Sequence, residues 1–250
     1  MGEGSLDTPW RRALPDTIET AAAGLAERLR ERLGERPRER LREPGERQGG
    51  EPVERQGGEP GGRILLGLCG PPGAGKSTLA AELARILGPD TAIVAPMDGF
   101  HLATDLIRGT PLAERRGAID TFDPGSYLSL LRRLRARDED VVYAPSFRRG
   151  LEEPIAASIA IPRSIPVVIT EGNYLLADAP AWRAIRGELD SVWYLEVSAA
   201  VRLPRLIGRH VEFGRGEADA AAFARGSDQS NADLIESTRQ GADLIVVLRG

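Results

Sequence analysis

From residue 63 onward the chain alternates short apolar runs with stretches of helical periodicity. Apolar runs at 64–69, 91–95, 141–143, 165–170, 192–197 and 243–248 predict strands. The run Ile165-Pro-Val-Val-Ile-Thr170 is apolar at consecutive rather than alternate positions, which suits a strand buried on both faces of a parallel sheet. Apolar residues at helical spacing predict helices over 76–87, 126–136, 179–187, 199–214, 217–224 and 231–240. Strands separated by helices imply right-handed crossovers, so the expected fold class is α/β, a three-layer, doubly wound parallel sheet. Ligands in such sheets bind beyond the carboxyl ends of the strands, and the segments that follow each strand are where chemistry is expected.

Residues 1–62 have a different character, rich in Arg, Glu, Gly and Pro. Arg47-Gln-Gly-Gly-Glu-Pro52 recurs as Arg55-Gln-Gly-Gly-Glu-Pro60. This repeat is too polar and glycine-rich to offset its ordering entropy, so about 44–62 reads as a flexible linker. Upstream, Ile18, Ala22, Leu25, Leu29 and Leu33 keep helical spacing among alternating Glu and Arg. They predict a helix over about 17–41 that docks loosely on the main body. The expected organisation is an N-terminal extension, 1–62, followed by one domain, 63–250.

Composition narrows the function classes. No run approaches the roughly 18 consecutive apolar residues of a membrane span, and no basic segment followed by an apolar stretch opens the chain. A formal net charge of −4 argues against broad electrostatic binding of nucleic acid. One cysteine, Cys69, and two histidines give neither a disulfide framework nor a zinc cluster, so a cytoplasmic location is the default expectation. Of the 33 basic residues only Lys76 is a lysine. A sequence that uses arginine everywhere else keeps one slender point charge where a planar fork would not fit.

That lysine lies in Gly70-Pro-Pro-Gly73-Ala74-Gly75-Lys76-Ser77-Thr78, a full match to the phosphate-binding loop pattern, between a predicted strand and a predicted helix. The glycines let the backbone turn its N–H groups onto a polyphosphate, Lys76 reaches the β and γ phosphates, and Ser77 can ligate Mg²⁺. After the second strand comes Pro96-Met-Asp98-Gly99-Phe-His101. Asp98 is placed to accept a proton from an attacking hydroxyl, or else to cap the turn that Gly99 allows. His101 either touches substrate or fixes the loop. Glu171, directly after the apolar strand 165–170, has the Walker-B arrangement that holds Mg²⁺. Arg202, Arg205 and Arg209 share one helical face, and no acidic residue lies between Ser198 and Glu212. Unpaired arginines suit a helical lid that closes on transferring phosphates, the alternative being a solvated basic face. Pro204 fits that helix only near its first turn.

In order along the chain, Gly70 to Thr78, Met97 to His101, Thr121-Phe-Asp123-Pro, Tyr143-Ala-Pro145, Glu171-Gly-Asn-Tyr174 and Arg202 to His210 resemble the phosphoribulokinase, uridine kinase and pantothenate kinase group. The forms around Asp98 and Glu171 look most like its nucleoside or sugar kinase-like branch. The resemblance implies a P-loop nucleoside triphosphate hydrolase fold with a helical lid and transfer of the γ-phosphoryl of ATP to a small metabolite. It implies Lys76, Asp98, Arg205 and Arg209 as catalytic residues and Gly70, Gly73, Ala74, Gly75, Lys76, Ser77 and Thr78 as the nucleotide cradle. Ser77 and Glu171 are the implied metal residues, and His101, Asp123 and Tyr174 the implied substrate residues. Its implied cofactors are ATP and Mg²⁺, its partner a small hydroxyl compound, and it allows a homodimer. Where uridine kinases carry a base-contacting tyrosine and an acid, this chain has Phe147 and Arg148-Arg149, which counts against uridine itself.

The expected function is an ATP-dependent kinase for a hydroxyl of a nucleoside, sugar or pantothenate-like alcohol. The alternative is a regulatory nucleotide hydrolase with no small-molecule acceptor. A guanine-selective Asn-Lys-x-Asp motif is excluded because Lys76 is the only lysine.

Overall fold

The computed structural model describes residues 11–13, 17–34 and 62–248. Its elements run β1 (Arg11–Ala13), α1 (Ile18–Gly34), β2 (Ile64–Cys69), α2 (Lys76–Leu87), β3 (Ala92–Val94), α3 (Thr104–Ile107), α4 (Pro124–Ala136), β4 (Val141–Arg148), β5 (Glu153–Pro162), β6 (Val167–Gly172), α5 (Pro180–Glu188), β7 (Ser191–Val197), α6 (Ala199–Glu212), α7 (Glu217–Arg225), α8 (Ser227–Ser237) and β8 (Leu244–Leu248). Six strands form one parallel sheet in the order β1-β8-β7-β2-β6-β3. Because side chains alternate across a strand, each central strand feeds two cores. Leu65, Val168, Val192 and Tyr194 pack with Tyr127 and Leu131 of α4 and with Trp182 and Ile185 of α5. Leu66, Val167, Ile169 and Leu195 pack on the other face with Leu25 and Leu29 of α1 and with Leu79 and Leu83 of α2. The result is the three-layer, doubly wound sheet that the pattern predicts. No helix among the described residues is long and apolar enough to cross a membrane.

Strand β2 lies between β6 and β7, so the crevice opens where the chain changes direction across the sheet. The register pairs Leu68 with Glu171 and Cys69 with Gly172, which brings the carboxyl ends of β2 and β6 level.

Three expectations are corrected. The N-terminal helix does not dock loosely: Ala21, Ala22, Leu25, Ala26 and Leu29 are at most 1% exposed and belong to the α2 core, and Arg30 Nη2 donates to the Ile86 carbonyl at 2.7 Å. An Ala/Leu face that meets another helix loses its water regardless of the charge on its outer side. The helix is described to Gly34; residues 35–41 and almost all of the predicted linker, 44–61, lie outside the described residues. Second, the strand predicted at 141–143 does not join the parallel sheet but opens a separate antiparallel hairpin of β4 and β5. Third, Pro204 lies within α6 beyond its first turn, where its missing N–H leaves the Ala200 carbonyl without an intrahelical donor.

Beneath the sheet Arg63 is 1% exposed, and its guanidinium donates to the carbonyls of Ile165, Leu134, Pro162 and Arg163. Burial, with the nearby Arg137 charge, pushes its pKa down to about 10. It ties β2 to the ends of α4 and β5 without any carboxylate.

Integration of α1 has a measurable consequence. Leu25→Ala, which empties a fully packed site, should lower unfolding free energy by about 3 kcal/mol in urea titrations. A change below about 0.5 kcal/mol, the size typical of surface substitutions, would show that α1 rides on the surface.

Candidate active site

The chain leaves β2 through the phosphate loop and re-enters as α2, whose N-cap Gly75 has φ +88°, a left-handed conformation that favours glycine. Inside the loop Lys76 is 8% exposed, and its ammonium donates to the carbonyls of Gly70 (2.8 Å) and Pro71 (3.2 Å) and to Asn173 Oδ1 (2.7 Å). Burial lowers its pKa, opposed chiefly by the negative charges of Glu171 and Asp98. Beside it the Ser77 hydroxyl, on an exposed residue, donates to Glu171 Oε1 at 2.9 Å. Glu171 is itself buried, and desolvation followed by the Asp98 charge raises its pKa.

Asp98 sits in the 3-10 turn Met97–Phe100 after β3. Its half-buried carboxylate makes no hydrogen bond or ion pair among the described residues, although its charge acts on Lys76, Glu171 and Arg209. The turn is held from three sides. Thr170 Oγ1 donates to the Ala95 carbonyl at 2.6 Å and is bonded to Tyr127 Oη. The His101 Nδ1–H donates to the Asp98 carbonyl at 2.8 Å. A Cβ on Gly99 would lie 2.5 Å from the Pro145 carbonyl oxygen, so only glycine lets the β4–β5 hairpin press this closely.

The lid helix α6 crosses the loop. Arg202 is buried; it donates to the Pro72 carbonyl at 3.2 Å and to Gln229 Oε1 at 2.8 Å. His210 Nε2 is 2.7 Å from Asp228 Oδ2, a second link between α6 and α8. Arg209 is half-buried, and burial, reinforced by the Arg149 charge, holds its pKa below the usual arginine value.

The structure therefore brings together Lys76, Ser77, Asp98, Glu171 and Arg209, with the cradle Gly70 to Thr78 around them. Other expected residues are engaged elsewhere. Arg205 is exposed on the outer side of α6. Asp123 caps α4, accepting from the Ser126 N–H at 3.0 Å, and that bonding lowers its pKa. Tyr174 is 1% exposed and donates to the Gly117 carbonyl at 2.7 Å, with its ring against Phe122 and Trp182. His101 serves the loop, its ring 4.0 Å from Phe122 and 4.8 Å from Phe147, and burial keeps it neutral by lowering its pKa. Two residues escaped the sequence reading. Asn173, two residues past Glu171, anchors Lys76, and Arg149 at the hairpin tip acts on both Glu171 and Arg209. The doubled Arg148-Arg149 was the available signal for the second; nothing singled out Asn173.

No family model matches the chain. The protein named "Putative uridine kinase C227.14" of Schizosaccharomyces pombe is 32% identical over 194 residues, which span 74% of this chain and 83% of that one. The crystal structure titled "putative fructose transport system kinase" from Silicibacter sp. TM1040 is 35% identical, superimposes with a TM-score of 0.68 and covers 92% of this chain and 99% of its own. YFH7 from Saccharomyces cerevisiae, titled "a putative P-loop containing kinase with a circular permutation", shares the fold at 21% identity with a TM-score of 0.64 over 75% of this chain and 93% of its own. With a phosphate loop between β2 and α2 and a relative 32% identical over 74% of this chain, the protein belongs to the P-loop kinases of the phosphoribulokinase, uridine kinase and pantothenate kinase group.

Proposed function

We propose that this kinase transfers the γ-phosphoryl group of ATP to a hydroxyl of a small metabolite such as a nucleoside, sugar or pantothenate-like alcohol. One observation carries the reading: Asp98 presents a carboxylate that no cation among the described residues binds, fixed by a braced turn, within the electrostatic field of Lys76, Glu171 and Arg209. A carboxylate so placed is available to the proton of an attacking hydroxyl.

The residues fit the donor. Gly70, Gly73, Ala74, Gly75, Lys76, Ser77 and Thr78 would cradle the phosphates, with the ammonium of Lys76 exchanging loop carbonyls for phosphate oxygens. The paired oxygens of Ser77 and Glu171 suit a hard cation, and they would hold Mg²⁺, which when bound neutralises charge on the β and γ phosphates. During transfer the acceptor O–H gives its proton to Asp98 while its oxygen bonds to the γ phosphorus. The bond from that phosphorus to the β–γ bridging oxygen breaks, and ADP leaves. Lys76 and Arg209 meet the charge that develops on the moving group. Arg205 would take part only after a movement of α6 that turns it inward.

Purified protein should release ADP from ATP and Mg²⁺ faster with one class of acceptor in a panel of nucleosides, sugars and pantothenate. Equal release with and without every acceptor would favour the regulatory hydrolase. Asp98→Asn should lower acceptor-dependent turnover by about 10²- to 10⁴-fold while ATP affinity stays unchanged, and wild-type turnover would remove Asp98 from the role of base. Lys76→Arg should lose both ATP affinity and turnover, because the planar fork cannot enter a pocket built from two loop carbonyls and Asn173. Normal kinetics in that variant would contradict the account of the single lysine.

A further inference from the structure

The β4–β5 hairpin spans the distance between the turn that carries Asp98 and the far end of the lid. Its near end is pressed onto that turn, with Pro145 against Gly99 and the Phe147 ring 4.8 Å from His101. Its tip reaches the end of α6, where the guanidinium carbon of Arg149 lies 5.8 Å from the centroid of the Phe213 ring. Arg209 is one turn before Phe213 on the same element. Most arginines around the site are committed: Arg115 to Asp120, Arg116 to Thr104 with Glu153 nearby, Arg202 to Pro72 and Gln229. Arg149 and Arg209 have no hydrogen bond or ion pair from their guanidinium groups among the described residues. Two like charges thus come from separate elements to the same end of the lid, and burial, reinforced by the Arg149 charge, holds the pKa of Arg209 down. Such a pair is unfavourable alone and becomes favourable when an anion lies between its members.

We propose that Arg149 is a catalytic residue of the phosphoryl transfer, closing with Arg209 on the peripheral oxygens of the γ-phosphoryl group. The assignment rests on the phosphotransferase reading of the site. Its placement follows from what Arg149 touches. At the hairpin tip it meets the end of the lid through Phe213, whereas Arg116 is stacked on the His101 side of the hairpin, 5.3 Å from the Phe147 ring. As the bond to the β–γ bridging oxygen breaks and the bond to the acceptor oxygen forms, with the proton passing to Asp98, the three peripheral oxygens carry charge that two guanidinium groups can share. Phe213 is the positioning residue, its ring face holding the Arg149 cation against the lid so that hairpin and lid move as one gate.

The test needs no acceptor. Binding of ADP–Mg²⁺, with and without aluminium fluoride as a mimic of the moving phosphoryl group, is measured on full-length wild type, Arg149→Ala and Arg149→Lys. Wild type should gain affinity from aluminium fluoride. Arg149→Ala should bind ADP–Mg²⁺ within about twofold of wild type yet lose the aluminium fluoride gain by about 10²-fold, the loss typical of one transition-state donor. Free guanidinium ion at millimolar concentration should restore part of that gain to Arg149→Ala, and the lysine variant should recover less than wild type. Arg149→Ala with an undiminished gain overturns the assignment. So does an equal loss of plain ADP affinity without guanidinium rescue, which makes Arg149 structural. A wild type that binds ADP but gains nothing from aluminium fluoride overturns the phosphotransferase reading and the assignment with it.

Discussion

Removing one ammonium group from water at the carboxyl end of β2 is the constraint around which the molecule is organised. A charge that buried is tolerated only if fixed dipoles and counter-charges replace its hydration, and Lys76 finds them in the carbonyls of Gly70 and Pro71, in Asn173, and in the charges of Glu171 and Asp98. These partners come from three separate parts of the chain. Glu171 and Asn173 require β6 beside β2 in one register, because a slip of one residue would turn Glu171 to the opposite face. Asp98 requires β3 on the far side of β6 and a turn held in place by Thr170 and the hairpin. The same electrostatic demand that shapes the loop in the resting protein is what a polyphosphate satisfies when it displaces the carbonyls.

Around that centre the elements divide into a rigid and a gating part. The sheet and its two cores fix Lys76, Ser77 and Glu171, and α1 belongs to this rigid part: a Cβ on Gly75 would come within 2.9 Å of Ile18. An N-terminal segment that packs directly under the phosphate loop links the stability of α1 to the geometry of nucleotide binding. On the proposed reading the gate consists of α6 and the hairpin tip, where Arg205 is exposed and Arg149 and Arg209 are half-buried. Arg202 and His210 tie α6 to α8, so the lid is hinged on α7 and α8 rather than free at one end. Exposure of Leu151 and Phe213 near the hairpin tip and the end of the lid leaves apolar surface that closure would remove from water.

Legibility in the sequence followed the strength of the local signal. The buried strands announced themselves as runs such as Ile-Leu-Leu at 64–66 and Val-Val-Ile at 167–169, and the glycine-lysine-serine loop fixed both the start of α2 and the phosphate end of the site. Strand β5 did not, because Ala156, Ala157, Ser158 and Ala160 are exposed and small, and their conformation is imposed by pairing with β4, not by side-chain pattern. Strand β1 is three residues held by backbone pairing with β8, which no side-chain period can reveal. Within Ile18–Gly34 the Arg/Glu alternation marked the wet face of α1 and hid that its alanine and leucine face is core. At the site, residue types singled out Lys76, Asp98 and Glu171, which the fold gathers at the carboxyl ends of β2, β3 and β6. Asp123 and Tyr174 were drawn from motif order and Arg205 from helical spacing, and the first two are engaged by local hydrogen bonds while the third is exposed on the outer side of α6.

The central claim concerns the destination of one phosphoryl group, and ³¹P nuclear magnetic resonance of the complete reaction follows it directly. With ATP, Mg²⁺ and the effective acceptor present, the account predicts a new phosphomonoester resonance that grows in step with ADP, with orthophosphate remaining at the level of the enzyme-free control. Orthophosphate accumulating in step with ADP, and no phosphomonoester with any acceptor, would contradict it.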